Sequence, residues 1–167
     1  MKLLVLRHDV AEPGEGAASR DADAKRALTP KGKKRAEKSA RGIARLLEDG
    51  VDVLASSPFR RARETADALA HALDDVEVTE VDALEPDRAP ADIALWLNAL
   101  DGADQVAIVG HEPSLSQLVT WLVSGLSTPW LALGKGGACQ LELPEPVAPG
   151  QARLVWLLEP KQLRRLG

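Results

Sequence analysis

Two short apolar runs in this chain each end in a histidine, and this repeated pattern restricts the fold more than any other feature. Residues 3–6 read Leu-Leu-Val-Leu and are followed at once by Arg7 and His8. Residues 105–109 read Gln-Val-Ala-Ile-Val and are followed by Gly110 and His111. A short apolar run bounded by polar residues is typical of a strand buried in a parallel sheet. Ligands bind outside the carboxyl ends of such strands, so both histidines are candidates for one site.

The rest of the chain alternates between predicted strands and predicted helices. Further strands are predicted at residues 51–56, 76–81, 139–143 and 153–158, and helices at 30–48, 57–73, 93–100 and 114–123. Thr29 is a suitable N-cap for the first helix and Pro30 suits its first position, while Asp49-Gly50 is a typical helix end. The alternation predicts an α/β three-layer sandwich with a mostly parallel central sheet, formed by residues 1–167 as a single domain.

Two segments outside these elements lie near predicted strand ends. Residues 10–25 are rich in Gly, Pro, Asp and Ala without a clear period, which predicts a long loop that starts beside His8 and could cover the site. The glycine-rich segment Gly134–Gly137 has some likeness to a phosphate loop. It lacks the spacing of a Walker motif and precedes no helical pattern, so it carries little weight.

Net charge, cysteine content and hydropathy argue against a nucleic-acid-binding, a secreted or a membrane protein. The 167 residues carry a net charge of −4, which argues against nonspecific nucleic-acid binding. The single cysteine, Cys139, suits a reducing compartment. No stretch is long and apolar enough for a membrane span, and the first apolar run is too short for a signal peptide. We therefore expect a cytoplasmic protein that binds neither nucleic acid nor membrane and that needs no partner copy, a monomer.

Basic residues are concentrated on two of the predicted helices. The helix at 30–48 is strongly basic, which favours a solvated face, with docking of an acidic partner as the alternative. The next helix carries Arg60, Arg61 and Arg63 in its first turn, where cations oppose the helix dipole unless an anion binds there. Pairing with Glu64 and Asp67 would account for one or two of these arginines. His71, late in that helix, is expected to be structural or exposed.

The predicted topology brings Arg7, His8, Arg61 and His111 to one edge of the sheet. Two fixed cations and two imidazoles suit a phosphoryl group, whose charge is spread over three oxygens in the transition state. A histidine can also act as the nucleophile and form a covalent phosphoryl intermediate. A metal site fits less well, because the chain has three histidines, no H-E-x-x-H motif and no Cys-His cluster. The absence of G-x-S-x-G disfavours a serine triad, and we expect no metal or cofactor.

Four segments resemble motifs of the histidine phosphatase superfamily, which has the phosphoglycerate-mutase-like fold. They occur in the family's order and are Leu6-Arg7-His8, Leu28-Thr29-x-x-Gly32, Ser57-Pro58-x-x-Arg61-Ala62-x-x-Thr65 and Gly110-His111-Glu112-Pro113. The resemblance implies that His8 accepts the phosphoryl group and that Arg7, Arg61 and His111 bind its oxygens. It also implies Arg26 as a further phosphate contact, and an exposed loop charge is the alternative interpretation of that residue.

The short chain has little room for the insertions that build a lid in larger members of the superfamily. It looks most like the SixA-type phosphohistidine phosphatases, small bacterial enzymes that act on phosphohistidine in proteins. The resemblance therefore implies hydrolysis of protein phosphohistidine through a phosphohistidine intermediate on His8, with a phosphorylated protein as partner. Two alternatives stay open: a metal-independent phosphatase of small phosphate esters, and a phosphate-binding module that has lost catalysis.

Two positions depart from the family pattern. Asp9 stands where the superfamily usually has glycine, and an acid there would raise the basicity of His8 or alter its orientation. The general acid is also not obvious. Larger members use a carboxylate after the third strand, where Glu85 is the nearest candidate, with Asp82 behind it, and a surface loop role is equally consistent with Glu85.

Overall fold

Six strands form one sheet in the computed structural model, which describes residues 1–14, 19–47 and 50–167. They are β1 (Lys2–Arg7), β2 (Val53–Ser56), β3 (Val78–Glu80), β4 (Gln105–Gly110), β5 (Ala138–Glu142) and β6 (Arg153–Leu158). Their order across the sheet is β3-β2-β4-β1-β5-β6. Strands β3, β2, β4 and β1 are parallel, while β5 runs antiparallel to both of its neighbours. The predicted α/β fold with a mostly parallel sheet is confirmed.

Helices cover both faces of this sheet and make the three layers. They are α1 (Arg20–Ala24), α2 (Pro30–Ala44), α3 (Arg60–Ala72), α4 (Pro90–Asn98), α5 (Ser114–Ser124) and α6 (Pro160–Leu166), with a 3-10 turn at Asp82–Leu84. Residues of α4 and α5 pack on one face, and residues of α2, α3 and α6 pack on the other. Within the described residues, no helix is long and apolar enough to cross a membrane. The cytoplasmic location and the monomeric state stay predictions.

The apolar runs of β1 and β4 are continuous because both faces of these central strands are covered. In β1, Leu3 and Val5 belong to the core beneath α4 and α5, whereas Leu4 and Leu6 belong to the core beneath α2, α3 and α6. None of the four is more than 2% exposed. Burial of each such side chain stabilises the fold by about 1.5–3 kcal/mol. These two strands therefore support rigidly the residues next to their carboxyl ends.

The start of α2 agrees with the prediction and explains the glycine of its motif. Thr29 caps the helix, because its Oγ1 accepts the backbone N–H of Gly32 at 2.9 Å, and Pro30 occupies the first position. A Cβ atom at Gly32 would lie 2.1 Å from the carbonyl oxygen of Val10. The Thr29 N–H also donates to that oxygen, at 2.9 Å. The Leu-Thr-x-x-Gly motif thus holds α2 against the chain that leaves β1.

Three predicted helix boundaries differ from the structure by three residues or more. The first helix ends at Ala44, and residues 48–49 of its predicted end lie outside the described residues. The helix predicted from Ser57 begins at Arg60. Its N-cap is Phe59, whose side chain has no hydrogen-bonding group, and the Ser57 hydroxyl bonds a histidine. The fourth helix, α4, begins at Pro90, three residues earlier than predicted.

Two further helices were not predicted. The expected loop at 10–25 contains the short helix α1, capped by Ser19, whose hydroxyl accepts the N–H of Ala22; residues 15–18 lie outside the described residues. The last helix, α6, begins with a reciprocal capping box between Glu159 and Gln162, with Pro160 at its first position. Leu163 then buries the helix against the core.

Candidate active site

The register between β1 and β4 places the two histidines side by side. Arg7 is the partner of Gly110 across the parallel pair, and the next backbone N–H, that of His8, donates to the Gly110 carbonyl at 3.1 Å. The residues directly after each strand, His8 and His111, therefore share one edge. Their ring centroids are 5.0 Å apart, and both residues are buried.

His8 presents an unprotonated imidazole nitrogen to an arginine. Its Nδ1 lies 2.7 Å from the carbonyl oxygen of Asp9, which can only accept, so the ring proton is on Nδ1. The Nε2 lone pair then accepts the Nε–H of Arg61 at 3.2 Å. Burial lowers the pKa of His8 to about 3; the Asp9 carbonyl opposes this, and the charges of Arg61 and Arg7 add to it. His8 is therefore a neutral imidazole near pH 7, as a nucleophile must be.

Arg61 is the one arginine of the first turn of α3 that points inward. Its Nη1 donates to the Asp23 carbonyl at 2.8 Å, and its Nη2 donates to the Asp23 carboxylate at 3.0 Å. The guanidinium carbon lies 5.1 Å from the ring centroid of Phe59. Arg60 and Arg63 form ion pairs with Glu64 and Asp67 respectively, so two of the three arginines pair as expected.

The threonine of the same motif ties α3 to the end of β1. The Thr65 hydroxyl donates to the carbonyl of Arg61 at 2.8 Å and accepts the backbone N–H of Asp9 at 3.3 Å. Thr65 is 3% exposed. It thus fixes the turn that carries Arg61 relative to the backbone that orients His8.

Arg7 is held through the main chain of a residue far along the sequence. Its Nη1 donates to the carbonyl of Leu133 at 2.6 Å. The N–H of Leu133 in turn donates to the Glu112 carboxylate at 3.2 Å, and that carboxylate also accepts the Ser116 hydroxyl at 2.6 Å. The Nε of Arg7 is buried, and no described residue bonds to it. Arg7 is therefore a fixed cation whose Nε–H has no partner among the described residues.

His111 is hydrogen-bonded through its Nε2 to a serine hydroxyl. The Nε2 atom lies 2.8 Å from Oγ of Ser57, which also accepts the Phe59 N–H at 3.3 Å. Because Nε2 is the one described acceptor bonded to the Ser57 hydroxyl, we assign the hydroxyl proton to that bond, which puts the His111 ring proton on Nδ1. That Nδ1 is buried and bonds to none of the described residues. Burial lowers the pKa of His111 to about 2, with smaller effects from His8 and Arg61, so this ring is also neutral.

Glu85 lies at the rim and is engaged by two arginines. Its Oε2 accepts Nη2 of Arg20 at 2.7 Å and Nη2 of Arg88 at 2.8 Å. Arg20 also lies over the Phe59 ring, 5.6 Å from its centroid. Asp82 opens the 3-10 turn before Glu85. Glu85 is thus linked to the histidine pair through Arg20 and Phe59, and its described hydrogen bonds go to arginines and to neither ring.

Arg26 contacts an acid rather than His8. Its Nη1 lies 2.6 Å from the Asp23 carboxylate, and its Nε donates to the carbonyl of Glu12 at 2.8 Å. The segment predicted to lie over the site contacts it through α1, because Asp23 accepts hydrogen bonds from Arg61. Asp23 itself was not singled out from the sequence, where it is one acid in an irregular acidic stretch.

Asp9 does not act on the His8 ring through its carboxyl group. Its Oδ1 accepts the N–H of Val10 at 2.7 Å, and its Oδ2 is buried without a bond to any described residue. Burial raises the pKa of this carboxyl, against the Val10 bond and the charges of Arg164 and Arg35. The carboxyl group of Asp9 therefore makes no hydrogen bond through which it could change the basicity or orientation of His8. The backbone carbonyl of Asp9 orients the ring instead.

The glycine-rich segment at 134–137 lies closer to the site than its sequence indicates. The Gly136 N–H donates to the carbonyl oxygens of Arg7 and His8, at 3.1 and 3.2 Å. Gly136 has φ +79, and a Cβ there would lie 2.4 Å from Oδ2 of Asp9. The charge of Lys135 contributes to the lowered pKa of His8. The cluster of glycines was the sequence feature that pointed to this segment. Because it departs from the Walker pattern, the sequence did not predict that it lies beside the site.

Two guanidinium groups and two neutral imidazoles meet at the carboxyl ends of parallel strands, an arrangement that can bind a phosphoryl group and offer it a nucleophile. Among the described residues no three His, Cys, Asp or Glu side chains are grouped to hold a metal ion. These features are those of an α/β protein with a site that can bind a phosphoryl group. Within this class, the chain belongs to the histidine phosphatase superfamily, whose branch 1 model matches residues 3–85.

Solved structures share this fold over almost the whole chain. The protein histidine phosphatase SixA complexed with tungstate is 23% identical, with a TM-score of 0.81 over 98% of this chain and 99% of that chain. Phosphoserine phosphatase from Entamoeba histolytica, in complex with 3-phosphoglyceric acid, is 18% identical, with a TM-score of 0.70 over 97% and 98%. The mycobacterial glucosyl-3-phosphoglycerate phosphatase with inorganic phosphate is 17% identical, with a TM-score of 0.64 over 96% and 98%. No curated protein sequence matches the chain.

Proposed function

We propose that this protein is a metal-independent phosphohistidine phosphatase, which hydrolyses phosphohistidine in proteins through a phosphohistidine intermediate on His8. The observation that carries the proposal is the geometry of one ring. The Asp9 carbonyl holds the proton of His8 on Nδ1, and the Nε2 lone pair faces the guanidinium of Arg61 at 3.2 Å. The nucleophile and a cation for the transferred oxygens are therefore already adjacent.

In the first step, the Nε–H of Arg61 exchanges its bond to Nε2 of His8 for a bond to a phosphoryl oxygen, and the released Nε2 lone pair attacks phosphorus and forms an N–P bond. The N–P bond of the substrate breaks, and its electron pair returns to the substrate imidazole. That ring leaves as a neutral group when its other nitrogen is protonated. Arg7 Nε, Arg61 Nε and His111 Nδ1–H are the donors assigned to the three phosphoryl oxygens, where they stabilise the charge of the transition state.

In the second step, water attacks phosphorus and the His8 N–P bond breaks. The phosphorylated ring keeps its Nδ1–H, which donates to the Asp9 carbonyl. The ring is therefore a cationic imidazolium and a good leaving group. The electron pair returns to Nε2, which restores the neutral ring, and the water protons leave with dihydrogen phosphate. Neither step requires a separate general acid.

The contacts of Glu85 favour phosphohistidine over a phosphate ester. An ester releases an alkoxide, which needs a proton from an acid such as Glu85. The Oε2 of Glu85 accepts hydrogen bonds from both Arg20 and Arg88, so this oxygen acts as an acceptor in the structure. An imidazole leaving group needs no such acid.

A side-by-side turnover assay without added metal tests the proposal. One arm uses a protein carrying phosphohistidine, and the other uses phosphoserine and further small phosphate esters. We expect turnover mainly of phosphohistidine, loss of both turnover and phosphoenzyme in His8→Ala, and little effect of Glu85→Gln. Turnover retained by His8→Ala would overturn the mechanism.

Hydrolysis of small phosphate esters is the second candidate function. It is favoured by the position of Glu85, which reaches the histidine pair through Arg20 and the ring of Phe59. It would be supported by faster turnover of esters together with a large loss in Glu85→Gln on those substrates. Phosphate binding without turnover of any substrate would instead support a binding module.

A further inference from the structure

Asp23 makes more contacts to the candidate phosphoryl-binding arginines than any other acid in the described residues. Its backbone carbonyl and its carboxylate accept from Nη1 and Nη2 of Arg61, at 2.8 and 3.0 Å. The other carboxylate oxygen accepts from Nη1 of Arg26 at 2.6 Å. One residue thus occupies the terminal end of the Arg61 guanidinium and connects it to a second cation.

These contacts decide which edge of Arg61 faces His8. A guanidinium is a rigid planar fork, so fixing its two terminal nitrogens fixes the direction of Nε as well. Here the Nε–H points at Nε2 of His8. The Arg61 side chain is 7% exposed, so little water is available to hold it in this orientation. A buried cation without a partner would also be costly.

Asp23 is itself anchored from both sides. The hydroxyl of Ser19 caps α1 by accepting the N–H of Ala22, which fixes the turn that carries Asp23. Arg26 binds the free carboxylate oxygen and is tied to the Glu12 carbonyl through its Nε. The hydrogen bonds to Arg26 and Arg61 also lower the pKa of the Asp23 carboxyl, although its partial burial opposes them.

We infer that Asp23 is a positioning residue, which holds the guanidinium of Arg61 with its Nε edge toward the phosphoryl group on His8. Arg26 then acts on the site through Asp23. The inference rests on the proposed phosphoryl-binding role of Arg61. It assigns Asp23 no contact with substrate.

An acid beside a phosphate site could instead compete with the anion, and the two roles predict opposite signs. Removing a negative charge raises the positive potential of the pocket, so a competing Asp23 would yield tighter phosphate binding when neutralised. Removing a positioning Asp23 releases the Arg61 fork and weakens phosphate binding. The direction of the change therefore separates the two roles.

The test is calorimetric titration of inorganic phosphate into the unmodified protein and into Asp23→Asn, with the unfolding temperature of each. Asp21→Asn is the matched control, because Asp21 is an exposed acid on the same helix. Both carboxylate oxygens of Asp23 are used, and the amide of Asn can accept from one arginine while its NH2 group faces the other. We therefore expect Asp23→Asn to raise the Kd for phosphate about 10- to 100-fold, the usual effect of losing a charged hydrogen bond. Asp21→Asn should leave it nearly unchanged, and neither variant should lose its folding transition.

An Arg61→Ala background shows whether Asp23 acts through Arg61. We expect Asp23→Asn to add no further loss of phosphate binding there. Tighter phosphate binding in Asp23→Asn, an unchanged Kd, or an equal further loss in the Arg61→Ala background would each overturn the inference. Phosphate binding that responds as expected in a protein without turnover would leave the inference standing and overturn the proposed activity alone.

Discussion

The Nδ1 of His8 donates to the carbonyl oxygen of Asp9 at 2.7 Å, while the carboxyl group of Asp9 bonds to the N–H of Val10 instead. The proposed nucleophile is therefore oriented by the main chain of the next residue. A backbone carbonyl is present whatever side chain stands at position 9. This explains how a site of this kind can hold an acid where related proteins usually have glycine.

Asp9→Asn should keep activity. The amide oxygen of Asn can accept the Val10 N–H as the carboxylate oxygen does, and the backbone carbonyl that orients His8 is unchanged. We expect phosphohistidine turnover within about threefold of the unmodified protein, because no reacting group is altered. A loss as large as that of His8→Ala would show that the carboxyl group takes part in the chemistry.

The same variant should remove a pH dependence of stability. Burial raises the pKa of the Asp9 carboxyl, so the folded state binds its proton more tightly than the unfolded state. The free energy of unfolding therefore falls as the pH rises from the unfolded value of about 3.9 through the raised folded value. The two histidines change stability in the opposite direction over the same range, so the Asp9 contribution is read as a difference between two proteins. In urea denaturation at several pH values, the free energy of unfolding of the unmodified protein minus that of Asp9→Asn should fall as the pH rises through this range. Identical profiles would contradict the burial of an ionisable carboxyl.

Neither site histidine should titrate near neutral pH. The pKa values lie at about 3 for His8 and about 2 for His111, because burial disfavours both imidazolium ions. The ring C–H resonances of both should stay constant from pH 8 to pH 5, and His8→Ala and His111→Gln assign them. A resonance of either ring that titrates around pH 6.5, the unperturbed value for histidine, would contradict this prediction.

These lowered pKa values also set the sign of a stability change. The unfolded state takes up protons at His8 and His111 below about pH 6.5, whereas the folded state does not until a much lower pH. The free energy of unfolding should therefore fall as the pH drops from 7 to 5. His111→Gln should reduce that fall in urea denaturation, since it removes one of the two groups.

Ser57→Ala tests the assigned proton position on His111. With the Ser57 hydroxyl 2.8 Å from Nε2, the ring proton is assigned to Nδ1, which the proposed mechanism uses as a donor to a phosphoryl oxygen. Without that hydroxyl the ring can take either tautomer, and we expect kcat to fall about tenfold with a smaller change in KM. Ser39→Ala is the matched control, because Ser39 is an equally buried serine in α2. Equal effects of the two substitutions would mean that the loss is one of packing.

The sequence predicted the parts of the site that are attached directly to strands. His8 and His111 come immediately after two continuous apolar runs, and the parallel register of those runs places the rings together. Arg61 was distinguishable from Arg60 and Arg63 through its place in the motif, although the helix itself begins at Arg60, three residues after its predicted start. Local pattern is sufficient where the backbone of a central strand fixes the position of the side chain.

The parts that the sequence did not predict depend on contacts between distant segments. Asp23 lies on a five-residue helix whose composition resembles a loop, and its importance arises from meeting Arg61, 38 residues further along the chain. The N–H of Gly136 likewise donates to the carbonyl groups at the end of β1, although the two segments are far apart in the sequence. No periodicity reports such a contact, because it is decided by how loops dock on the finished sheet.

The position of Arg7 depends on Glu112 through the backbone of Leu133. Glu112 accepts the N–H of Leu133 at 3.2 Å, and the carbonyl of the same residue accepts Nη1 of Arg7 at 2.6 Å. Glu112→Ala removes the first of these bonds and frees the Leu133 segment, so it should weaken phosphate binding about 3- to 10-fold. Glu112→Gln keeps an acceptor oxygen for the Leu133 N–H and should lose less.

Calorimetric titration of inorganic phosphate into both Glu112 variants checks this order. Glu142→Gln is the control, because Glu142 pairs with Arg153 on the surface. Equal losses in Glu112→Ala and Glu112→Gln would show that the charge of Glu112 acts on Arg7 directly, since both substitutions remove that charge while Gln preserves the hydrogen bond. A loss confined to Glu112→Ala would show that the connection runs through the Leu133 backbone, with the segment before β5 acting as the support of the first arginine.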